Sequence, residues 1–241
     1  MMQKTRAIVL RSYKYGESQL IVDMLTREQG RLSFICSVSK SPRAKFRHNF
    51  FQPLSLLEIN FDYRERARLQ RLKEVRIAIP YINIPFDAVK LSIAHFLAEF
   101  VVYATRSEQA NLPLYSFVET SLQLLDQTNR SCANFHLVFM LRLTRFVGFF
   151  PNLSDAGSEC FFDLRNACFV LEPPHHSEFL YPVEASKLGL MMRMRYETMH
   201  LFAMSRDERN RCVELILTFY RLHIPDFPEM KSWQVLKELF V

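Results

Sequence analysis

"TRAIVLRSYKYGESQLIVDMLTREQGRLSFICSV" (5–38) contains three runs rich in β-branched and aromatic residues, broken at Gly16 and at Arg27-Glu28-Gln29-Gly30. Short apolar runs separated by glycine-bearing turns read as consecutive strands. Leu32, Phe34 and Cys36 alternate onto one face, but Ile35 stands where the other face should be polar. Broken alternation of this kind is expected where both faces of a curled sheet are partly covered. Two further runs, "QPLSLLEINF" (52–61) and "ARLQRLKEVRI" (67–77), flank the turn "DYRER" (62–66). Five short strands within the first 80 residues fit a small closed barrel such as an OB-fold, and the same strand statistics suit an SH3-like barrel.

Beyond this point the period changes. "IPYINIPF" (79–86) carries two prolines and no helical pattern, as a linker would. "DAVKLSIAHFLAEFVVYAT" (87–105) places apolar residues three and four apart, with Asn83 or Asp87 available to start a helix. Further helices are expected after "NLP" (111–113), capped by Asn111, over 133–149, and near 183–199, 207–222 and 230–239. Ser205 and Glu208 have the spacing of a reciprocal capping box. The expected fold class is therefore α+β: a five-stranded barrel over residues 1–80, then an all-helical domain over 81–241 with an irregular hairpin region around 150–182.

Composition excludes several function classes. Only 5 glycines occur among 241 residues, and neither GxGxxG nor GxxxxGK[ST] is present, so nucleotide-binding loops are not expected. No apolar run reaches the roughly 18 residues of a membrane helix, and the N-terminus does not read as a signal peptide. The expectation is a cytoplasmic protein that does not engage a membrane. Five dispersed cysteines, Cys36, Cys132, Cys160, Cys168 and Cys212, fit reduced thiols better than a disulfide framework. No Ser, Cys or His lies in a nucleophile-elbow or triad context, and His95, His136 and His200 lie in apolar stretches as core or half-buried residues. Neither catalysis nor a cofactor is expected.

Charge is the informative feature. Residues 1–80 hold 16 Lys and Arg against 7 Asp and Glu, whereas residues 81–241 hold 15 against 18. No carboxylate occurs between Glu28 and Glu58, an interval that contains Arg31, Lys40, Arg43, Lys45 and Arg47. Lys4, Arg6, Arg11 and Lys14 on the first strand, and Arg64, Arg66, Arg68, Arg71, Lys73 and Arg76 on the last turn and strand, add to this group. Tyr13, Tyr15, Phe34, Phe46, Phe50, Phe51 and Tyr63 are interleaved with it, although most of these aromatic residues would serve a barrel core equally well. Such a run can be simply a solvated surface. Its recurrence on segments that a barrel brings together instead favours a polyanion groove, in which phosphates displace counterions and exposed rings stack on bases. No element reads as a base-reading helix, so little sequence preference is expected. The alternative is an interaction scaffold whose basic barrel meets an acidic partner.

"KTRAIVLRSYKYGESQLIVDMLTREQGRLSFI" (4–35), with its A-I-V-L-R, Y-G-E-S and L-T-R-E-x-G-R-L pieces, resembles the opening of the RecO family of bacterial recombination mediators. "RLTRFVGFFPNL" (142–153) resembles that family's R-L-x-x-x-G-x-x-P segment, and "HIPDFPEMKSWQVLKELF" (223–240) its K-S-x-x-V-L end. The resemblance spans nearly the whole chain. It implies an N-terminal OB-fold and a helical domain. It also implies binding of single- and double-stranded DNA, annealing of complementary strands, and partnership with RecR. With RecR, such proteins help load RecA onto strands coated by single-stranded-DNA-binding protein, whose acidic tail docks on RecO.

Two departures stand out. Many relatives carry paired C-x-x-C motifs for zinc, but here only Cys160 and Cys168 remain, followed by His175 and His176; "ECFFDLRNACFVLE" (159–172) reads instead as a metal-free hairpin turning at Arg165-Asn166. Val38-Ser39 also stands where the family's third strand usually reaches a glycine. In the helical part, Arg142, Arg145 and Phe146, with Arg193 and Arg195 of "LMMRMRYETM" (190–199), are either the wet edges of packed helices or a basic rim for an acidic-hydrophobic tail.

Overall fold

The computed structural model describes residues 1–38, 46–106, 109–154, 157 and 159–239. Contacts divide the chain into two compact units, Met1–Gln127 and Thr128–Val241.

In the first unit β1 (Met2–Tyr15), β2 (Gln19–Thr26), β3 (Gly30–Ser37), β4 (Leu56–Asp62) and β5 (Gln70–Ile79) form a closed barrel in the order β1-β2-β3-β5-β4. Every pairing is antiparallel except β3 with β5, where Phe34 faces Gln70 and Ile35 faces Arg71. That parallel closure is the OB arrangement, and it separates this barrel from the SH3-like alternative. Val9, Val22, Met24, Phe34, Phe61 and Leu72 fill the interior, with the Phe34 and Phe61 rings edge to face at 5.1 Å.

The broken alternation of the sequence has a direct cause. Ile8, Leu10, Ile21 and Leu25 are buried but belong to neither the interior cluster nor its lining. Helix α1 (Ala88–Ala104) packs on β1 and covers part of the outer surface, so both sides of these strands are apolar. Gly30 lies at the same contact. Its φ is +67°, and a Cβ there would come within 2.8 Å of the Ala110 backbone nitrogen.

Asp23 ties this region together. It is buried in β2 and pairs across the strands with Arg11 and Ser33. Its carboxylate accepts hydrogen bonds from Arg11 Nε at 2.6 Å, Ser33 Oγ at 2.5 Å and Arg31 Nη2 at 3.4 Å. Arg31 Nη1 continues to the Val102 carbonyl of α1 at 2.7 Å, so one ionic network links three strands to a helix. Burial alone would raise the Asp23 pKa, but Ser33, Arg11 and Arg31 outweigh it and hold the carboxyl below its ordinary value.

The stretch 79–86 is firmly held. Asp126, at the end of α2 (Leu112–Gln127), accepts hydrogen bonds from the Ile82, Asn83 and Ile84 amides at 2.8–2.9 Å, and the Tyr81 hydroxyl donates to the Leu54 carbonyl at 2.7 Å. A buried carboxylate holding three amides converts an expected linker into a fixed corner. α1 starts where expected, with Asp87 Oδ1 accepting from the Val89 and Lys90 amides, and Asn111 caps α2 through Leu114.

The second unit contains α3 (Phe135–Leu143), α4 (Pro182–Arg193), α5 (Arg206–His223) and α6 (Lys231–Leu239), with a small sheet β7-β6-β8 formed by β6 (Phe161–Asp163), β7 (Cys168–Val170) and β8 (Phe179–Leu180). β6 and β7 make the expected hairpin, and Asp163 holds its turn by accepting from the Arg165 and Asn166 amides. The Ser205–Glu208 capping box opens α5 as expected. α3 stops at Leu143, short of the expected 149. The Thr144 hydroxyl donates to the Leu141 carbonyl, competing with the helical ladder, and Gly148 has φ +89°. His136 is fully buried, and burial with the nearby Arg209 charge pushes its pKa down to about 3. His200 is half-buried, but His95 lies on the solvent side of α1, against the expectation of a buried position.

Asp23 makes a pH dependence testable. A carboxyl held low in the folded state stabilises the fold above its unfolded pKa, near 3.8, and that contribution disappears as the pH falls through the lowered folded value. Asp23→Asn is expected to flatten the acid limb of the stability profile in thermal melts between about pH 5 and 2. Asp23→Ala, which leaves the Arg31 guanidinium buried without its counterion, is expected to cost about 3 kcal/mol at neutral pH.

Candidate nucleic-acid interface

The barrel's cations divide into paired and open groups. On the β1–β4–β5 side, Glu58 binds Lys4 at 3.0 Å and also Arg76, and Lys73 binds Asp62 at 3.0 Å. The hydrogen bond from Lys4, with that from Arg76, lowers the Glu58 pKa. This side is electrically compensated.

Arg11 and Arg31, expected to contact a polyanion, also have a carboxylate partner in Asp23. The Arg31 side chain is only 16% exposed and is bonded to both Asp23 and α1, so it belongs to the framework, while Arg11 remains 50% exposed beside it. The sequence conceals this role because strand register alone decides which carboxylate an arginine meets.

Lys14, Arg47, Arg64, Arg66, Arg68 and Arg71 are exposed and make no ion pair among the described residues. Lys40, Arg43 and Lys45 lie outside the described residues. The described residues on either side of 39–45 are held to the β1–β2 hairpin. Before it, the Val38 amide donates to the Ser18 carbonyl at 2.8 Å; after it, Ser12 Oγ donates to the Phe51 carbonyl at 3.0 Å in a 3-10 turn (His48–Phe51). Both anchors belong to the β1–β2 hairpin. Arg47 enters that turn with its guanidinium 5.1 Å from the centre of the Phe50 ring.

Arg64, Arg66 and Arg68 project from the β4–β5 turn, which Gln70 organises. Gln70 is buried; its Oε1 accepts from the Arg64 amide at 2.9 Å, and its Nε2 donates to the Arg64 and Ala67 carbonyls at 2.8 and 3.0 Å. The next residue, Arg71, faces Ile35 across the β3–β5 seam. Ile35 faces Ile21, and Ile21 faces Tyr13. One row on the outer surface therefore reads Tyr13, Ile21, Ile35, Arg71. Of the interleaved aromatics, Phe46, Phe50 and Tyr63 pack partly against the core, whereas Tyr13 and Tyr15 are open. Sequence parity conceals this: Ala7 and Val9 point into the interior, and the bulge between Val9 and Arg11 turns the same odd positions, Arg11, Tyr13 and Tyr15, outward.

In the second unit, Arg142 is half-buried, its Nη2 donates to the Met194 carbonyl at 3.4 Å, and its Nε is buried without a hydrogen bond. The expected groups thus meet, since Met194 lies between the exposed Arg193 and Arg195. Arg145 is exposed with its guanidinium 4.3 Å from the centre of the Phe150 ring, and Phe146 is half-buried. Cys160 is buried, His176 lies between Asp163 and Glu178 at 3.4 and 3.5 Å, and no three His, Cys, Asp or Glu among the described residues gather as metal ligands. No helix among those residues is long and apolar enough to cross a membrane.

These features define the class: an OB-barrel protein with a helical extension and a group of exposed cations that make no ion pair among the described residues. Residues 1–81 match the family model described as Recombination protein O N terminal, and residues 85–233 match Recombination protein O C terminal. The chain is 51% identical over 240 residues to DNA repair protein RecO of Phocaeicola vulgatus and 48% identical over 241 residues to that of Bacteroides fragilis, covering 100% of both chains in each comparison. It is 34% identical to the RecO of Porphyromonas gingivalis, covering 98% of each chain. The chain belongs to the RecO family of DNA repair proteins.

The division between paired and open cations gives a direct expectation for a labelled single strand titrated with salt. Arg66→Ala and Arg71→Ala should each weaken binding and lower the log–log salt slope by about 0.7, the value for one lost phosphate contact. Lys4→Ala and Arg76→Ala should leave both quantities unchanged, because these side chains already neutralise Glu58.

Proposed function

We propose that this protein is a recombination mediator that binds single- and double-stranded DNA through its barrel without sequence preference and anneals complementary strands. With a RecR-like partner, it helps load RecA onto strands coated by single-stranded-DNA-binding protein. It acts in the cytoplasm, at the nucleoid. The observation that carries the reading is the row ending at Arg71. Open cations from the β4–β5 turn stand beside it, and both ends of the basic connection are fixed to the β1–β2 hairpin. Separate segments thus offer exposed cations that make no ion pair among the described residues, with Asp62 opposite Arg71 already engaged by Lys73, and open cations are what a phosphate backbone selects. Membership of a DNA repair family supports the same reading, and the lack of a groove-reading helix motif accords with the absence of sequence preference.

The acidic tail of the single-stranded-DNA-binding protein is assigned to the Arg142–Arg145 edge with Arg193 and Arg195. The exposed Arg145, Arg193 and Arg195 guanidinium groups suit a terminal carboxylate. The competing reading, a scaffold whose basic barrel binds an acidic protein, would need the same open cations but no nucleic acid.

Fluorescence anisotropy with labelled oligo-dT separates the two. Four to six phosphate contacts predict a log–log salt slope of about −3 to −4; absent or salt-insensitive binding favours the scaffold. Arg142→Ala with Arg145→Ala is expected to weaken binding of an acidic tail peptide and to spare oligo-dT, and equal loss of both would merge the two sites.

A further inference from the structure

The row that ends at Arg71 begins with an aromatic residue that has no structural task. Tyr13 is 47% exposed and Tyr15 is 55% exposed. Neither belongs to the barrel interior nor to the apolar residues packed against it. They are two apart in β1 and so lie on one side of the strand, about 6.6 Å apart along it. That spacing is close to the rise per nucleotide of an extended single strand.

Their neighbours form a floor and a brace. Beneath and beside Tyr13 lie Ile21, which is buried, and Ile35, which is half-buried, giving an apolar floor between the ring and Arg71. The Arg11 guanidinium stands 6.0 Å from the centre of the Tyr13 ring and is itself fixed by Asp23 at 2.6 Å. A cation on one flank of the ring, held from below, limits how far the tyrosine can swing. Arg71 and Lys14 beside this floor make no ion pair among the described residues, and Asp62 opposite Arg71 is engaged by Lys73, which favours an anionic occupant over an apolar protein surface.

We infer that Tyr13 and Tyr15 form a stacking platform for two successive unpaired bases, and that this platform makes the barrel hold single strands more tightly than duplex. The inference rests on the DNA-binding reading and adds the determinant of strand type. Duplex bases are already stacked on one another and cannot lie on the rings, so duplex engages only the cations. An unpaired strand engages the cations and the rings together.

The test uses the full chain, anisotropy, and three labelled probes of equal length: oligo-dT, an abasic strand and a duplex. Tyr13→Ala with Tyr15→Ala is expected to weaken oligo-dT binding by about 10- to 100-fold, from the usual contribution of base stacking. The salt slope and the binding of abasic strand and duplex should stay within two-fold of wild type. Tyr13→Phe with Tyr15→Phe should retain oligo-dT affinity. Tyr15→Ala alone, at the strand end, gives a milder variant of the same direction should the double substitution disturb the fold. Wild-type oligo-dT affinity in the Ala variant, or equal loss on all three probes, overturns the platform while leaving DNA binding intact. A wild-type protein that binds none of the probes overturns the parent reading and the platform with it.

Discussion

The barrel closes through a parallel seam of two residue pairs, Phe34 with Gln70 and Ile35 with Arg71, and the proposed binding surface depends on that closure. Each residue of the seam has a separate task. Phe34 enters the interior against Phe61; Gln70 is buried and fixes the β4–β5 turn through three hydrogen bonds. Ile35 and Arg71 turn outward and continue a row that starts on β1. Without the seam, the arginines of the last turn would belong to a free hairpin, and no geometric relation would tie them to Tyr13. A closed sheet also leaves no unpaired edge, so the outer surface is available for side-chain chemistry.

Net positive charge alone would not mark out a surface here. Several cations of the first unit are neutralised, some by Glu58 and Asp62 on one side and others by Asp23 beneath α1. These pairs do different work. The exposed ones contribute little to stability, as solvent-screened pairs do. The Asp23 network removes charge from water and joins β1, β2, β3 and α1, so its loss would be felt by the fold. What remains open is a subset concentrated on the β4–β5 turn, the start of β5 and the hairpin end of β1. Counterion release acts on that subset, so affinity should follow the open cations and not the total charge.

Much of this was legible in the residues, and the reasons differ from element to element. Asp87, Asn111 and the Ser205–Glu208 pair were readable as caps because capping is chemistry within one turn. The strands were readable from their runs and turns; the helix-covered outer face is that of β1, whereas Ile35, which broke the alternation of β3, is half-buried on the outer surface. Register was not legible. A lone carboxylate within "SQLIVDMLT" (18–26) announces a buried partner, but only the paired strands show that Arg11, Ser33 and Arg31 supply it. The fixed corner at 79–86 depends on Asp126, more than 40 positions away, and two prolines gave no hint of it. The end of α3 turned on one hydroxyl and one glycine, a balance too fine for periodicity to resolve.

The central claim is that one side of the barrel, from the hairpin end of β1 across β3 to Arg71 and the β4–β5 turn, holds the nucleic acid. Photo-crosslinking with a 5-iodouracil-substituted single strand, followed by peptide mapping of the full chain, tests it most directly. The account predicts adducts on Tyr13 or Tyr15 and on peptides containing residues 62–71, with none on the compensated side around Lys4 and Arg76. Adducts concentrated on that compensated side, or only within residues 128–241, would contradict it.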